Sequence, residues 1–102
     1  MRRREAFAIS AVTLLEIAAL FRSGKTRDEV SALDLLKDLE TNPSLDIIPI
    51  SFDIAAEVAA LGRGWLADPA DRAIVATARV HGLQLVTADQ RIIDSKLVPT
   101  VE

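Results

Sequence analysis

Cysteine is absent from this chain of 102 residues, and histidine and tryptophan occur once each. Without cysteine there are no disulfides and no thiolate metal sites. A single histidine, His81, cannot build a His-rich zinc centre. Long hydrophobic runs are lacking as well, and no apolar stretch reaches the roughly 20 residues of a membrane span. The basic start MRRREAF is not followed by a signal-peptide core, because AISAVTLLEIAAL contains Glu16 and no cleavage pattern. An excess of positive charge is also missing. The net charge of −3 gives no overall pull toward nucleic acid, and on charge alone Arg2, Arg3 and Arg4 read as a solvated tail. The expectation is a soluble cytoplasmic protein with no membrane segment.

What the chain does have is apolar residues, which make up 50% of it, with many Ala, Leu, Ile and Val and only 4% aromatics. That is enough for one modest domain, residues 1–102, with a packed core. AFAIS (Ala6 to Ser10) reads as a buried strand, and Ser10 suits a helix N-cap. Ala11 to Arg22 reads as a helix ended by Ser23-Gly24. Thr26 to Glu29 forms a capping box ahead of a helix striped by Val30, Leu33, Leu36 and Leu39, which Asn42-Pro43 stops. LDIIPI (Leu45 to Ile50) reads as an edge strand, because Pro49 cannot donate to a ladder. Ser51 caps a helix expected to bury Ile54, Ala55, Val58 and Ala59, and Gly62 and Gly64 break it. Asp68 as N-cap, Pro69 at N1 and Asp71 at N3 open a further helix that ends near Gly82. LQLVT (Leu83 to Thr87) reads as a buried strand, and after a short helix LVPTV (Leu97 to Val101) reads as a second edge strand.

Alternating strands and helices imply an α/β fold with a parallel sheet and helices on both faces. In such a sheet, sites form beyond the carboxyl ends of the strands, where the crossover helices begin. That places Glu16, Asp71 and Asp89 on one edge. Each has a plainer reading. Asp71 is favourable near a helix N-terminus through the dipole alone. Asp89 serves as a turn residue after a strand, and Asp68 is most simply a cap. Glu16 stands among Val12, Leu14, Leu15, Ile17, Ala18, Ala19 and Leu20, with only Thr13 for polar company. Either that narrow stripe faces solvent or Glu16 faces a polar site, since a buried lone carboxylate is costly. His81 reads as a surface or capping residue before Gly82, Trp65 as a core plug, and Arg72 as a surface charge beside the site.

SAVTLLEIAAL, DPADRAIVATA and HGLQLVTAD together resemble the PIN-domain nucleases, most closely the VapC-type toxins of toxin–antitoxin pairs. The resemblance runs from about Ala6 to Val101. It implies a three-layer α/β/α fold and a metal-dependent endoribonuclease that hydrolyses RNA phosphodiesters. It also implies Mg²⁺ or Mn²⁺ as cofactor and a cognate antitoxin as partner. By motif, Glu16, Asp71 and Asp89 match the metal-holding catalytic acids, and Thr87 the supporting hydroxyl two positions before the last acid. Hard divalent cations suit that task, because carboxylates alone would repel the phosphate. Sharing one hydrated cation would set the three carboxyl carbons within about 10 Å of one another.

The chain departs from the family at its start. Nothing before Ala6 matches the apolar strand ending in Asp with which the family begins, so a β-α-α unit of roughly 30 residues is missing. The chain resembles the C-terminal portion of a PIN domain. The absent strand is the central one in the family's sheet, between AFAIS and LQLVT. An alternative function follows, a catalytically impaired remnant that binds antitoxin or dimerises. Uncovered strand edges and an uncovered Ala- and Leu-rich helix favour association into a homodimer or with a partner over direct pairing of AFAIS with LQLVT.

Overall fold

The computed structural model describes residues 7–22, 31–62 and 68–101. The arginines at the start, the Ser23-Gly24 stop, the Thr26–Glu29 capping box, Val30, Gly64 and Trp65 lie outside the described residues. The chain divides into two compact units, Met1–Pro49 and Ile50–Glu102. Among the described residues no helix is long and apolar enough to cross a membrane.

The first unit is a β-α-α-β crossover: β1 (Phe7–Ser10), α1 (Ala11–Arg22), α2 (Ala32–Thr41) and β2 (Leu45–Ile48). β1 and β2 run parallel, with Ile9 opposite Ile47 and Ser10 opposite Ile48. Parallel strands need a long connection, and the two helices supply it. Ser10 is buried, and its hydroxyl accepts from the Val12 amide at 3.2 Å, so the strand hands over to α1 through a side-chain cap. Ser31 caps α2 in the same way, accepting from the Asp34 amide at 3.1 Å. The covered stripe of α2 is Ala32, Leu35, Leu36 and Leu39, while Leu33 is 61% exposed. The expected stripe through Leu33 was therefore offset. The covered residues sit at i, i+3, i+4 and i+7 from Ala32, one helical face, and Leu33 lies to its side.

The second unit holds α3 (Phe52–Ala60), α4 (Pro69–His81), β3 (Leu85–Val86), α5 (Gln90–Ser95) and β4 (Thr100–Val101). Every buried apolar side chain among the described residues lies here: Ile54, Val75, Ala76, Ala78, Ile92 and Val98. Val75, Ala78, Ile92 and Val98 form one cluster, flanked by Leu61, Leu83, Leu85 and Leu97. α3 packs against α4. Its covered apolar positions are Ile54 and Val58, continued by the C-cap Leu61, whereas Ala55 and Ala59 are exposed. The buried face is thus narrower than expected, an i, i+4, i+7 line that a single neighbouring helix can cover.

Arg72 corrects another expectation. It is no simple surface charge, for its guanidinium donates to the carbonyls of Val58, at 3.1 Å, and Gly62. These oxygens lie at the C-terminal end of α3, where carbonyls lack helical partners and a cation is favourable. Arg79 likewise joins α4 to Glu57 and to the Leu97 carbonyl.

β3 and β4 are parallel, with Leu85 opposite Thr100 and Val86 opposite Val101. Both proline-bearing strands are shorter than the sequence indicates. Pro49 follows β2 and Pro99 precedes β4. Pro99 still contributes its carbonyl, which accepts from the Leu85 amide at 2.8 Å. Among the described residues the strands form two two-stranded ladders, β1 with β2 and β3 with β4.

Candidate functional site

α4 begins as its sequence dictates. The Asp68 carboxylate accepts from the Ala70 amide at 2.9 Å, Pro69 occupies the first helical position, and Asp71 falls in the first turn. Gly82 ends the helix in the left-handed conformation (φ 65°), its amide donating to the carbonyls of Ala78 and Arg79. His81 is exposed in that last turn. Losing the cap in Asp68→Ala should destabilise the protein by about 1 kcal/mol, while Asp68→Asn should be nearly silent. Urea unfolding of the two variants checks this, and equal stability would show that the cap contributes nothing.

Asp89 is placed by a second cap. The Thr87 hydroxyl accepts from the Asp89 amide at 3.0 Å, and Asp89 Oδ1 accepts from the Arg91 amide at 3.0 Å, opening α5. The plainer reading of Asp89 as a turn residue therefore describes part of its work. Its second role is with the Arg91 side chain. Arg91 Nε reaches Asp89 Oδ1 at 3.2 Å, and Nη2 reaches Asp89 Oδ2 at 2.8 Å. The same Nη2 lies 3.8 Å from Asp71 Oδ2.

Two carboxylates, from the starts of α4 and α5, thus meet one cationic nitrogen. Both are half-buried. Burial pushes the Asp71 carboxyl above the ordinary aspartate value, and the nearby Asp68 and Asp89 charges add to the rise against the pull of Arg91. Asp89 moves the other way, held below the ordinary value mainly by its hydrogen bond to Arg91. As pH rises, Asp71 is therefore the later of the pair to ionise.

Glu16 stands in the second turn of α1, in the first unit, half-buried and with a partner of its own. Thr13, one turn earlier, is half-buried too. Neither side chain of the narrow polar stripe is fully solvated. Among the described residues no three His, Cys, Asp or Glu side chains are grouped to hold a metal. The Asp71–Asp89 pair nevertheless offers what a hard divalent cation takes, anionic oxygens converging on one positive charge. Mg²⁺ is commonly held by one or two carboxylates, with water and phosphate oxygens completing its shell. Arg91 is the member that reading the sequence missed. The only local signal is an arginine two residues after an acid that caps a helix.

Comparison with known proteins matches the chain to a family. The PIN domain model matches residues 1–96, across both units. The chain is 34% identical over 85 residues to Ribonuclease VapC22 of Mycobacterium tuberculosis (strain ATCC 25618 / H37Rv). That match covers 83% of this chain, and the chain spans 64% of the relative's length. Among solved structures, a toxin–antitoxin complex from Klebsiella pneumoniae aligns with TM-score 0.64 and 25% identity, over 93% of this chain and 72% of that one. The fold is the α/β PIN fold with parallel strands, and the chain belongs to the PIN domain family.

Proposed function

We propose that this chain is a VapC-like endoribonuclease toxin that hydrolyses RNA phosphodiesters with Mg²⁺ or Mn²⁺. The observation that carries the reading is the meeting of the Asp71 and Asp89 carboxylates on a single cation. Likeness to a ribonuclease and to a member of a toxin–antitoxin complex supports it. Asp71 and Asp89 are the metal ligands. Glu16 is assigned as a further acid of the site by its motif alone. A bound divalent ion would neutralise phosphate charge and favour a nucleophilic water. Thr87 keeps the turn before Asp89 closed and so orients that carboxylate. Asp68 adds negative charge nearby while serving as a cap.

The partner of the reading is a cognate antitoxin, and a second copy of the chain is the other expected associate. Phe7 and Leu15, 67% and 70% exposed in the first unit, give either one apolar surface to cover. The test of activity is direct. The chain should cleave single-stranded RNA with Mg²⁺ or Mn²⁺ and stop when EDTA is added. Cleavage that continues in EDTA would remove the carboxylates from the chemistry.

A further inference from the structure

We propose that Arg91 is the built-in counter-ion of the acidic site: its guanidinium holds the Asp71–Asp89 pair when no divalent cation is bound and leaves when one arrives. The inference rests on the reading of Asp71 and Asp89 as metal ligands. It goes beyond that reading by giving the metal-free site a state of its own.

Three observations carry it. First, the Arg91 fork engages both oxygens of Asp89, at 3.2 and 2.8 Å, and approaches Asp71 Oδ2 at 3.8 Å. A divalent ion bound between the two acids at the short distances Mg²⁺ demands would need those same oxygen atoms. Arginine and metal therefore compete for one set of lone pairs. Second, the two acids need a cation. They come from separate helix starts, both are half-buried, and they meet on one side of the same guanidinium. Third, Arg91 is free to go. Its side chain is 62% exposed on a six-residue helix, so withdrawal returns the guanidinium to water with little desolvation to reverse. Its backbone amide can keep donating to Asp89 Oδ1, so α5 retains its cap when the side chain departs.

Arginine suits this holding role better than lysine would. Its planar fork matches a carboxylate with two parallel bonds, whereas a lysine ammonium is a single point of charge. The exchange also has a direction. A monovalent cation tethered nearby keeps the acids together at low metal, and a divalent ion replaces it once its concentration is high enough. Arg91 thus raises the metal concentration at which the site fills.

The test uses the full chain with Mn²⁺ alone as probe, and compares wild type, Arg91→Gln and Arg91→Lys by titration calorimetry. Arg91→Gln should bind Mn²⁺ about two- to fivefold more tightly, the range expected when an exposed competing ion pair is removed. Arg91→Lys should fall between the two, since it keeps the charge and loses the fork. In wild type, the Arg91 Nε–H resonance should shift with added Mg²⁺ and saturate together with the Asp89 amide. Equal or weaker Mn²⁺ binding by Arg91→Gln, with wild type binding normally, would overturn the counter-ion and leave the metal site standing. A lysine variant indistinguishable from wild type would show that charge without the fork sets the affinity, and would overturn direct occupation. An Arg91 Nε–H signal that stays fixed while Mg²⁺ saturates the protein would do the same. No Mn²⁺ binding by any of the three proteins would remove both the counter-ion and the metal site.

Discussion

Asp71→Asn should reduce metal-dependent RNA cleavage by at least about a hundredfold, because even residues that merely orient metal ligands are worth ten- to a hundredfold. The fold should survive. The substitution gives up a favourable charge at the N-terminus of α4, worth about 0.3–1 kcal/mol. It also relieves a carboxylate whose ionisation is opposed by burial and by the Asp68 and Asp89 charges. The two effects act in opposite directions, so stability should change little. Asparagine fits the first helical turn without strain. The decisive comparison is cleavage rate against urea midpoint in the same preparation. A large loss of activity at an unchanged midpoint supports a role in chemistry, and parallel losses of both would assign Asp71 to structure alone.

A large effect on stability is expected at Ile92. Its side chain is 5% exposed and packs in the cluster of Val75, Ala78 and Val98. Ile92→Ala should destabilise the protein by about 2–4 kcal/mol, through lost burial and the cavity left behind. That is a large fraction of the roughly 5–15 kcal/mol that holds a domain of this size together. Ile92 is also the apolar anchor of α5, the short helix that Asp89 caps and that carries Arg91. The variant should therefore loosen the Asp89–Arg91 pair before the rest of the unit unfolds. Amide exchange of α5 should accelerate beyond that of α4, and Ile92→Val should show a quarter to a half of the loss in stability. Uniform acceleration across both helices would mean that α5 is not separately anchored.

Local signals were the most readable part of this chain. α4 was readable at both ends, because its boundaries are set by neighbours in sequence: Asp68 caps it, Pro69 fits its first position and Gly82 takes the left-handed turn. Ser10 and Ser51 were readable as caps for the same reason. The parallel direction of the strands also followed from their alternation with helices. Strand lengths did not. LQLVT shows strand character over Leu83 to Thr87, yet β3 is Leu85–Val86, as long as the partner strand Thr100–Val101 allows. Burial stripes were off by a position in α2 and too wide in α3, because periodicity names a face and the packed neighbour decides how much of it is covered.

The acids divide along the same line. Asp71 and Asp89 could be placed at element starts from caps and strand ends. Their meeting depends on side chains 18 positions apart in sequence, and Arg91 joins them only once α5 has turned that way. Arg72 escaped for a related reason. Its targets are the backbone carbonyls of Val58 and Gly62, which no residue pattern announces.

The central claim is that Asp71 and Asp89 hold a divalent cation, and the most direct measurement is paramagnetic broadening of backbone amide resonances by substoichiometric Mn²⁺. Asp71, Asp89 and Arg91 should broaden first, the effect should vanish on adding excess Mg²⁺, and Asp71→Asn should need much more Mn²⁺ to show it. Broadening that centres on other acids, such as Asp34, Asp38 or Asp53, or that is unchanged in Asp71→Asn, would contradict the account.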